Sequence, residues 1–131
     1  AGWRGLCCDI LFSAFLMIKN RFKINPKEVS IFIGPCISMQ NYEVGEDLVN
    51  SFRKSSSYIG KSFEQYFFKQ ISISKWNFDL RFYAIIKLLS FGCVAKKIFC
   101  HSSCTYSDPN YYSFRRDGRL GSNWTWIRRA Y

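Results

Sequence analysis

The sequence predicts a mixed α/β or α+β fold, for two reasons. Stretches with apolar side chains at three- and four-residue steps alternate with short β-branched or apolar runs. No internal repeat or low-complexity linker interrupts that alternation. The chain has 131 residues, 48% of them hydrophobic, which is enough for one core and one domain at most, 1–131.

The first helix is predicted from about Gly5 to Phe22. Leu6, Ile10, Leu11, Ala14, Met17 and Ile18 recur near helical spacing, and Lys19 and Arg21 sit where the helix dipole favours cations. Asn25-Pro26 breaks the pattern. Glu28 to Ile33 reads as a buried strand ending at Gly34-Pro35. Asn41 to Val44 suits a short strand or an extended turn. Gly45-Glu46-Asp47 opens a helix through Leu48, Val49 and Phe52. Arg53 to Lys61 is Ser-rich and polar, so a loop or poorly ordered segment is expected.

Phe63, Tyr66, Phe67 and Phe68 follow without a clean period, while Ile71 and Ile73 alternate with serines as in an edge strand. The strongest helix signal starts at Trp76-Asn77-Phe78-Asp79-Leu80, with Asn77 as N-cap and Asp79 in the first turn. Leu80, Tyr83, Ala84, Ile86-Lys87, Leu88 and Phe91 line it, and Gly92 ends it. Val94 to Phe99 is the next strand. Cys104 to Asn110 is loop, with a turn at Asp108-Pro109-Asn110. Tyr111 to Phe114 is short and helical or extended, and Trp124 to Ile127 alternates as a final strand.

Lys and Arg number 19 against 9 Asp and Glu, a formal net charge of +10. Such an excess can mark a polyanion partner. The charges are dispersed, however, and the densest clusters are only Arg115-Arg116 with Arg119, and Arg128-Arg129. Nucleic acid is therefore not the expected partner. No apolar run reaches the roughly 20 residues of a membrane span, and no signal peptide is visible. A cytoplasmic location without a membrane partner follows as the expectation. In that setting the six cysteines are expected as reduced thiols. Cys100, His101 and Cys104 are zinc-ligand types, but they lack a second ligand pair, and ordinary buried thiols beside a polar His are preferred.

Single residues carry two readings each. Arg4 lies between Gly2 and Gly5, which permit close backbone approach. Its guanidinium could face phosphate, or stack on Trp3 or pair with a carboxylate. Cys36 follows Gly34-Pro35 as a reactive or, preferably, a packed thiol. Glu43 and Asp79 are lone acids among apolar residues, suited to acid–base work or to structural hydrogen bonds. Arg115 and Arg116 with Asp117 could bind phosphate or form an ion pair.

Several strings stand in a fixed order: Ala1-Gly2-Trp3-Arg4-Gly5, Gly34-Pro35-Cys36-Ile37, Tyr42-Glu43-Val44-Gly45, Cys104-Thr105, and Ser113 to Gly118. Lys75 to Leu80 and Gly92-Cys93-Val94 join them. This set resembles the laccase-domain family, also called multicopper polyphenol oxidase-type or purine nucleoside phosphorylase-type proteins. The resemblance implies an α-β-β-α layered fold, of which this chain is the carboxyl-terminal part, truncated at the amino terminus. It implies an enzyme acting on purine nucleosides: phosphorolysis of adenosine, inosine, guanosine or methylthioadenosine, and adenosine deamination, with polyphenol oxidation as an older assignment. It implies zinc or copper in the complete enzyme, held by two His and one Cys. One of these His directly precedes Ala1, and none of the three is in this chain.

On that reading the chain alone is expected to hold no metal cofactor and to be inactive. Its partners are the missing amino-terminal half, a purine nucleoside and phosphate. Arg4 is the candidate catalytic residue, and Arg116, Glu43 and Asp79 are the candidate substrate-binding residues. Arg119-Leu120-Gly121-Ser122 departs from the family pattern, keeping the Gly and losing an Arg. The competing readings are a degenerate, non-catalytic remnant or binding module, and a small basic nucleic-acid binder.

Overall fold

A computed structural model describes residues 2–55 and 58–126, and its first elements are two helices where the sequence predicts one. Helix α1 spans Trp3–Cys7 and α2 spans Ile10–Phe22. The break falls at Asp9, whose φ of 58° lies in the left-handed region, where Asp and Asn are found more readily than bulkier residues. The Asp9 carboxylate reaches Lys87 Nζ at 3.1 Å, a long-range contact that no local periodicity reports.

Asn25 caps a single 3₁₀ turn at Pro26–Glu28. Its side chain accepts the Lys27 N–H at 3.0 Å, and the Glu28 carboxylate accepts the Asn25 N–H at 2.8 Å. That capping box takes Glu28 out of the predicted strand, so β1 is only Ile31–Ile33. It is not a buried strand either, since Phe32 is 72% exposed.

Strand β2 (Glu43–Gly45) runs directly into α3 (Glu46–Lys54). Glu46 and Asp47 lie in the first turn of α3 and Arg53 and Lys54 in the last, each suited to the dipole. Arg53 and Lys54 are thus helical rather than loop, while Ser56 and Ser57 lie outside the described residues. Helix α4 (Lys61–Phe67) and strand β3 (Phe68–Ser72) take up the aromatic stretch that showed no period. Strand β4 (Lys75–Phe78) then leads into α5 (Leu80–Ser90).

The helix start predicted at Trp76 is therefore displaced. Trp76 and Asn77 pair on both sides, because the antiparallel sheet has the order β2-β4-β3, while Phe78 pairs with Phe68 and donates its N–H to the Tyr42 carbonyl. Hydrogen bonds from two neighbouring strands outweigh local helix propensity there. Asp79, not Asn77, is the N-cap, and it accepts the Phe82 N–H at 2.8 Å. Gly92, with φ +91°, follows the helix as predicted. The predicted edge strand at Ile71 is β3, at the edge of that sheet, although Ile73 itself lies in the turn to β4.

Ala95–Lys97 forms a 3₁₀ turn and β5 is Ile98–Cys100, so the strand predicted from Val94 starts late. Helix α6 is the short Phe114–Asp117. Residues 121–126 carry no strand, and Ile127, the end of the predicted final strand, lies outside the described residues.

Strands β1 and β5 pair in parallel, Ile31 opposite Ile98 through Ile33 opposite Cys100. The core gathers Leu6, Val44, Leu48, Val49, Phe52, Phe67, Phe68, Phe78 and Tyr83 from α1, β2, α3, α4, β3, β4 and α5. Phe52 meets Tyr83 and Phe78 edge-on, with ring centroids 4.8 and 5.0 Å apart, the geometry that ring quadrupoles favour. The mixed class predicted from the alternation of elements is borne out. Among the described residues, no helix is long and apolar enough to cross a membrane.

Candidate functional site

The β1–β5 pairing brings two loops together at the carboxyl ends of its strands. Past β5 the His101 N–H donates to the Ile33 carbonyl at 2.8 Å. Farther on, Cys36 and Cys104 form a parallel bridge, and the Thr105 N–H donates to the Cys36 carbonyl at 3.2 Å. Both cysteines are half-buried.

The Cys104 Sγ accepts the Ser38 N–H at 3.2 Å and an Asn41 Nδ2–H at 3.4 Å. Burial works to raise this thiol, but hydrogen bonds from Ser38, Ser107 and Asn41 prevail and bring it down to about 5. Cys36 is the opposite case. Burial pushes it up, against a hydrogen bond and charge from Arg81, whose Nε lies 3.4 Å from the Cys36 Sγ. Arg81 also donates to the Ser103 carbonyl at 3.2 Å, tying α5 to the segment that carries Cys104.

Arg116 organises the loop after Cys104. Its Nη1 donates to the carbonyls of Thr105, Tyr106 and Asp108 at 3.2, 2.9 and 3.3 Å. Its Nη2 donates to the Tyr111 carbonyl at 2.7 Å, and its Nε pairs with the Asp117 carboxylate at 2.7 Å. Arg116 holds the Asp117 carboxyl below the usual range, helped by the Ser113 N–H. The guanidinium fork predicted for substrate is thus turned toward the protein's own backbone.

Glu43 pairs with Lys75 at 2.7 Å across β2 and β4, both side chains well exposed. Asp79 caps α5, as described above. Arg4 stacks its guanidinium over the Trp3 ring, 4.6 Å from the centroid, and is exposed. Arg115 lies 5.3 Å from the Tyr42 ring centroid. Burial raises the Tyr42 hydroxyl, while the charges of Arg115 and Arg4 oppose it. Two exposed cations therefore act on one phenol, which belongs to the same loop as Cys36, Ser38 and Asn41.

His101 is exposed. Its Nδ1 accepts the Ser103 N–H at 3.2 Å, and its Nε2 lies 3.4 Å from the Tyr111 hydroxyl. Among the described residues, no group of three His, Cys, Asp or Glu side chains is placed to hold a metal ion.

Residues 1–130 match the family described as multi-copper polyphenol oxidoreductase laccase. The chain belongs to that family. It is 32% identical over 125 residues to a purine nucleoside phosphorylase of Xylella fastidiosa, an alignment that covers 92% of this chain and 44% of that protein. It is 29% identical over 126 residues to purine nucleoside phosphorylase YfiH of Escherichia coli, covering 93% of this chain and 47% of that protein. Among solved structures, the hypothetical protein YfiH of Bacillus licheniformis superposes with a TM-score of 0.81 at 26% identity, covering 91% of this chain and 44% of that one. YlmD of Geobacillus stearothermophilus gives 0.77 at 26% identity, covering 89% and 42%. This laccase-family chain thus spans less than half the length of the relatives it matches.

Several site residues of this laccase-family chain escape a sequence reading. Tyr42 and Asn41 look like strand or turn residues, and Arg81 carries no local signal that sets it apart within its helix. The available signal was positional. Cys36 and Cys104 each follow a predicted strand, and parallel neighbours bring such ends together.

Proposed function

We propose that this chain supplies the phosphate-facing part of a metal-dependent purine nucleoside enzyme. The observation that carries this reading is the exposed Arg115 guanidinium 5.3 Å from the Tyr42 ring centroid, with the charge of the exposed Arg4 acting on the same phenol. Guanidinium forks match phosphate geometry. In phosphorolysis the glycosidic bond between ribose C1′ and the purine nitrogen breaks, and a phosphate oxygen bonds to C1′. Arg4 is assigned to the developing charge and Arg115 to the incoming phosphate. Arg116, Glu43 and Asp79 serve the same site by holding its loop, sheet and helix start. The names of the relatives, each a purine nucleoside phosphorylase, support the substrate class.

The metal that the family description implies finds no ligand set among the described residues. In this proposal its ligands lie in the polypeptide that the relatives carry outside the matched region. Residues 1–131 then form part of one domain with that polypeptide. Exposed apolar side chains on two parts of the fold support this. Around α2, Ile10, Phe12, Leu16, Met17 and Phe22 are exposed. On β1 and β5, Phe32 and Phe99 stack 4.9 Å apart with 72% and 47% exposure. Clustered exposed apolar surface marks a contact face.

The test joins this chain to a relative's amino-terminal half and follows inosine and adenosine phosphorolysis by release of free base. Activity is expected from the joined protein and not from the chain alone. Arg4→Ala in the joined protein is expected to cost about 2–4 kcal/mol of transition-state stabilisation with the melting temperature nearly unchanged. Activity held within about threefold, less than ~1 kcal/mol, would assign Arg4 to structure instead.

A further inference from the structure

We propose that Cys104 and Cys36 form a two-thiol site that reduces hydroperoxides, with Cys104 as the attacking sulfur and Cys36 as the resolving one. The proposal is independent of the nucleoside reading. It rests on four observations.

First, the two residues are direct partners in a parallel bridge. Neighbouring strands lie about 4.8 Å apart, inside the roughly 4.4–6.8 Å Cα span of a disulfide. Paired residues on adjacent strands carry their side chains on the same face, so the bridge places both thiols on one side of the pair. Second, the Cys104 Sγ receives two N–H donors, Ser38 N–H and Asn41 Nδ2. A donor set of that kind holds a thiolate, the nucleophilic form. Third, the Arg81 Nε–H donates to the Cys36 Sγ at 3.4 Å and fixes that sulfur at the bridge, while burial keeps its proton in place for delivery in the second step. Fourth, Arg81 and Arg116 fix both flanks of Cys104, through the Ser103 and Thr105 carbonyls. The thiol corner is therefore held in place rather than carried on a free loop.

The other cysteines lack this arrangement. Cys93 is buried. Cys100 is exposed, but no described hydrogen bond holds its sulfur. It provides an internal control.

The chemistry balances as follows. The Cys104 thiolate attacks one peroxide oxygen; an S–O bond forms, the O–O bond breaks, and the leaving alkoxide or hydroxide takes a proton from water. The Cys36 sulfur then attacks the Cys104 sulfenic sulfur. An S–S bond forms, the S–O bond breaks, and the departing hydroxide leaves as water with the Cys36 proton. Two thiols lose two electrons, and one hydroperoxide becomes alcohol and water.

The test treats the full chain with hydrogen peroxide at a few equivalents. Unreacted thiols are alkylated, oxidised ones are reduced and labelled with a heavier reagent, and each cysteine is read by mass spectrometry. The expected result is joint oxidation of Cys36 and Cys104, with a peptide linked through them, ahead of Cys100. In Cys36→Ser, dimedone is expected to trap a sulfenic acid on Cys104. In Cys104→Ser, Cys36 is expected to stay reduced over the same range. A second measurement avoids variants. In the unmutated chain, iodoacetamide is expected to alkylate Cys104 about tenfold faster than Cys100 at neutral pH, and to lose that preference in urea. Oxidation of Cys100 first, a crosslink that excludes Cys36 or Cys104, or equal native alkylation rates would each overturn the proposal.

Discussion

Replacing Asp9 by Asn tests how the two amino-terminal helices are held to the rest of the protein. Lys87 Nζ lies 3.1 Å from the Asp9 carboxylate, the Lys87 side chain is 6% exposed and that of Asp9 24%. At that separation and an effective dielectric near 20, the Coulomb attraction is about 5 kcal/mol. Desolvation of the lysine offsets much of it, so the net worth of the pair is small. Breaking it from one side is another matter. Asp9→Asn keeps the left-handed backbone that Asn tolerates but removes the carboxylate from beside a cation with little water around it. A loss of about 3 kcal/mol is expected, at the low end of the range for a broken buried pair because Asp9 is partly solvated.

Lys87→Met removes the ammonium that lies 5.1 Å from the Phe91 ring centroid and leaves a carboxylate side chain that is 24% exposed. Its expected cost is only about 1 kcal/mol. The double variant is expected to be more stable than Asp9→Asn alone. The assay is urea unfolding followed by tryptophan fluorescence, with midpoint and slope measured for each variant and the coupling taken from the double-mutant cycle. If Asp9→Asn costs no more than Lys87→Met, the argument from asymmetric burial is wrong.

Phe52→Ala removes a fully buried ring at the centre of the aromatic cluster, with an expected loss of about 3–5 kcal/mol and a correspondingly lower melting temperature. Glu64 accepts hydrogen bonds from Arg53 and Tyr58, and Arg53 foremost holds its carboxyl below the usual value. Its contribution is therefore present above the ordinary carboxylate range and is lost as pH falls through the lowered value. Glu64→Gln should lower the unfolding free energy at neutral pH by about 1–2 kcal/mol, read as a lower urea midpoint, and flatten the acid limb; parallel acid limbs for the two proteins would contradict this. Arg116→Lys keeps the charge and loses the fork. Hydrogen exchange at the Asp108 and Tyr111 amides, which donate to the Cys104 and Asp108 carbonyls, should accelerate while the amides of β4 do not.

The parts of this protein legible in the sequence are those governed by near neighbours. The mixed class, the start of α3 at its acidic turn, the stop of α5 at Gly92 and the edge position of β3 all depend on residues within a turn or two. So does the set of ordered strings that resembles the laccase-domain family, which the family match then showed. Where distant segments compete, the local signal loses. Trp76 to Phe78 carry a helix-like pattern, yet two flanking strands recruit them, and the cap moves to Asp79. A continuous apolar period runs through Asp9, yet the helix breaks there, at the residue whose carboxylate pairs with Lys87 of α5.

The candidate site belongs almost wholly to this second class. Arg116 reads as a phosphate binder or an ion-pair partner, and only the folded loop turns its five donors toward four carbonyls and a carboxylate. Cys36 and Cys104 read as packed thiols far apart in the chain, and only the parallel pairing of β1 with β5 sets them side by side. A sequence encodes the donors and acceptors each residue carries. Which of them meet, and which face water, is decided when burial of the aromatic core brings distant strands into register.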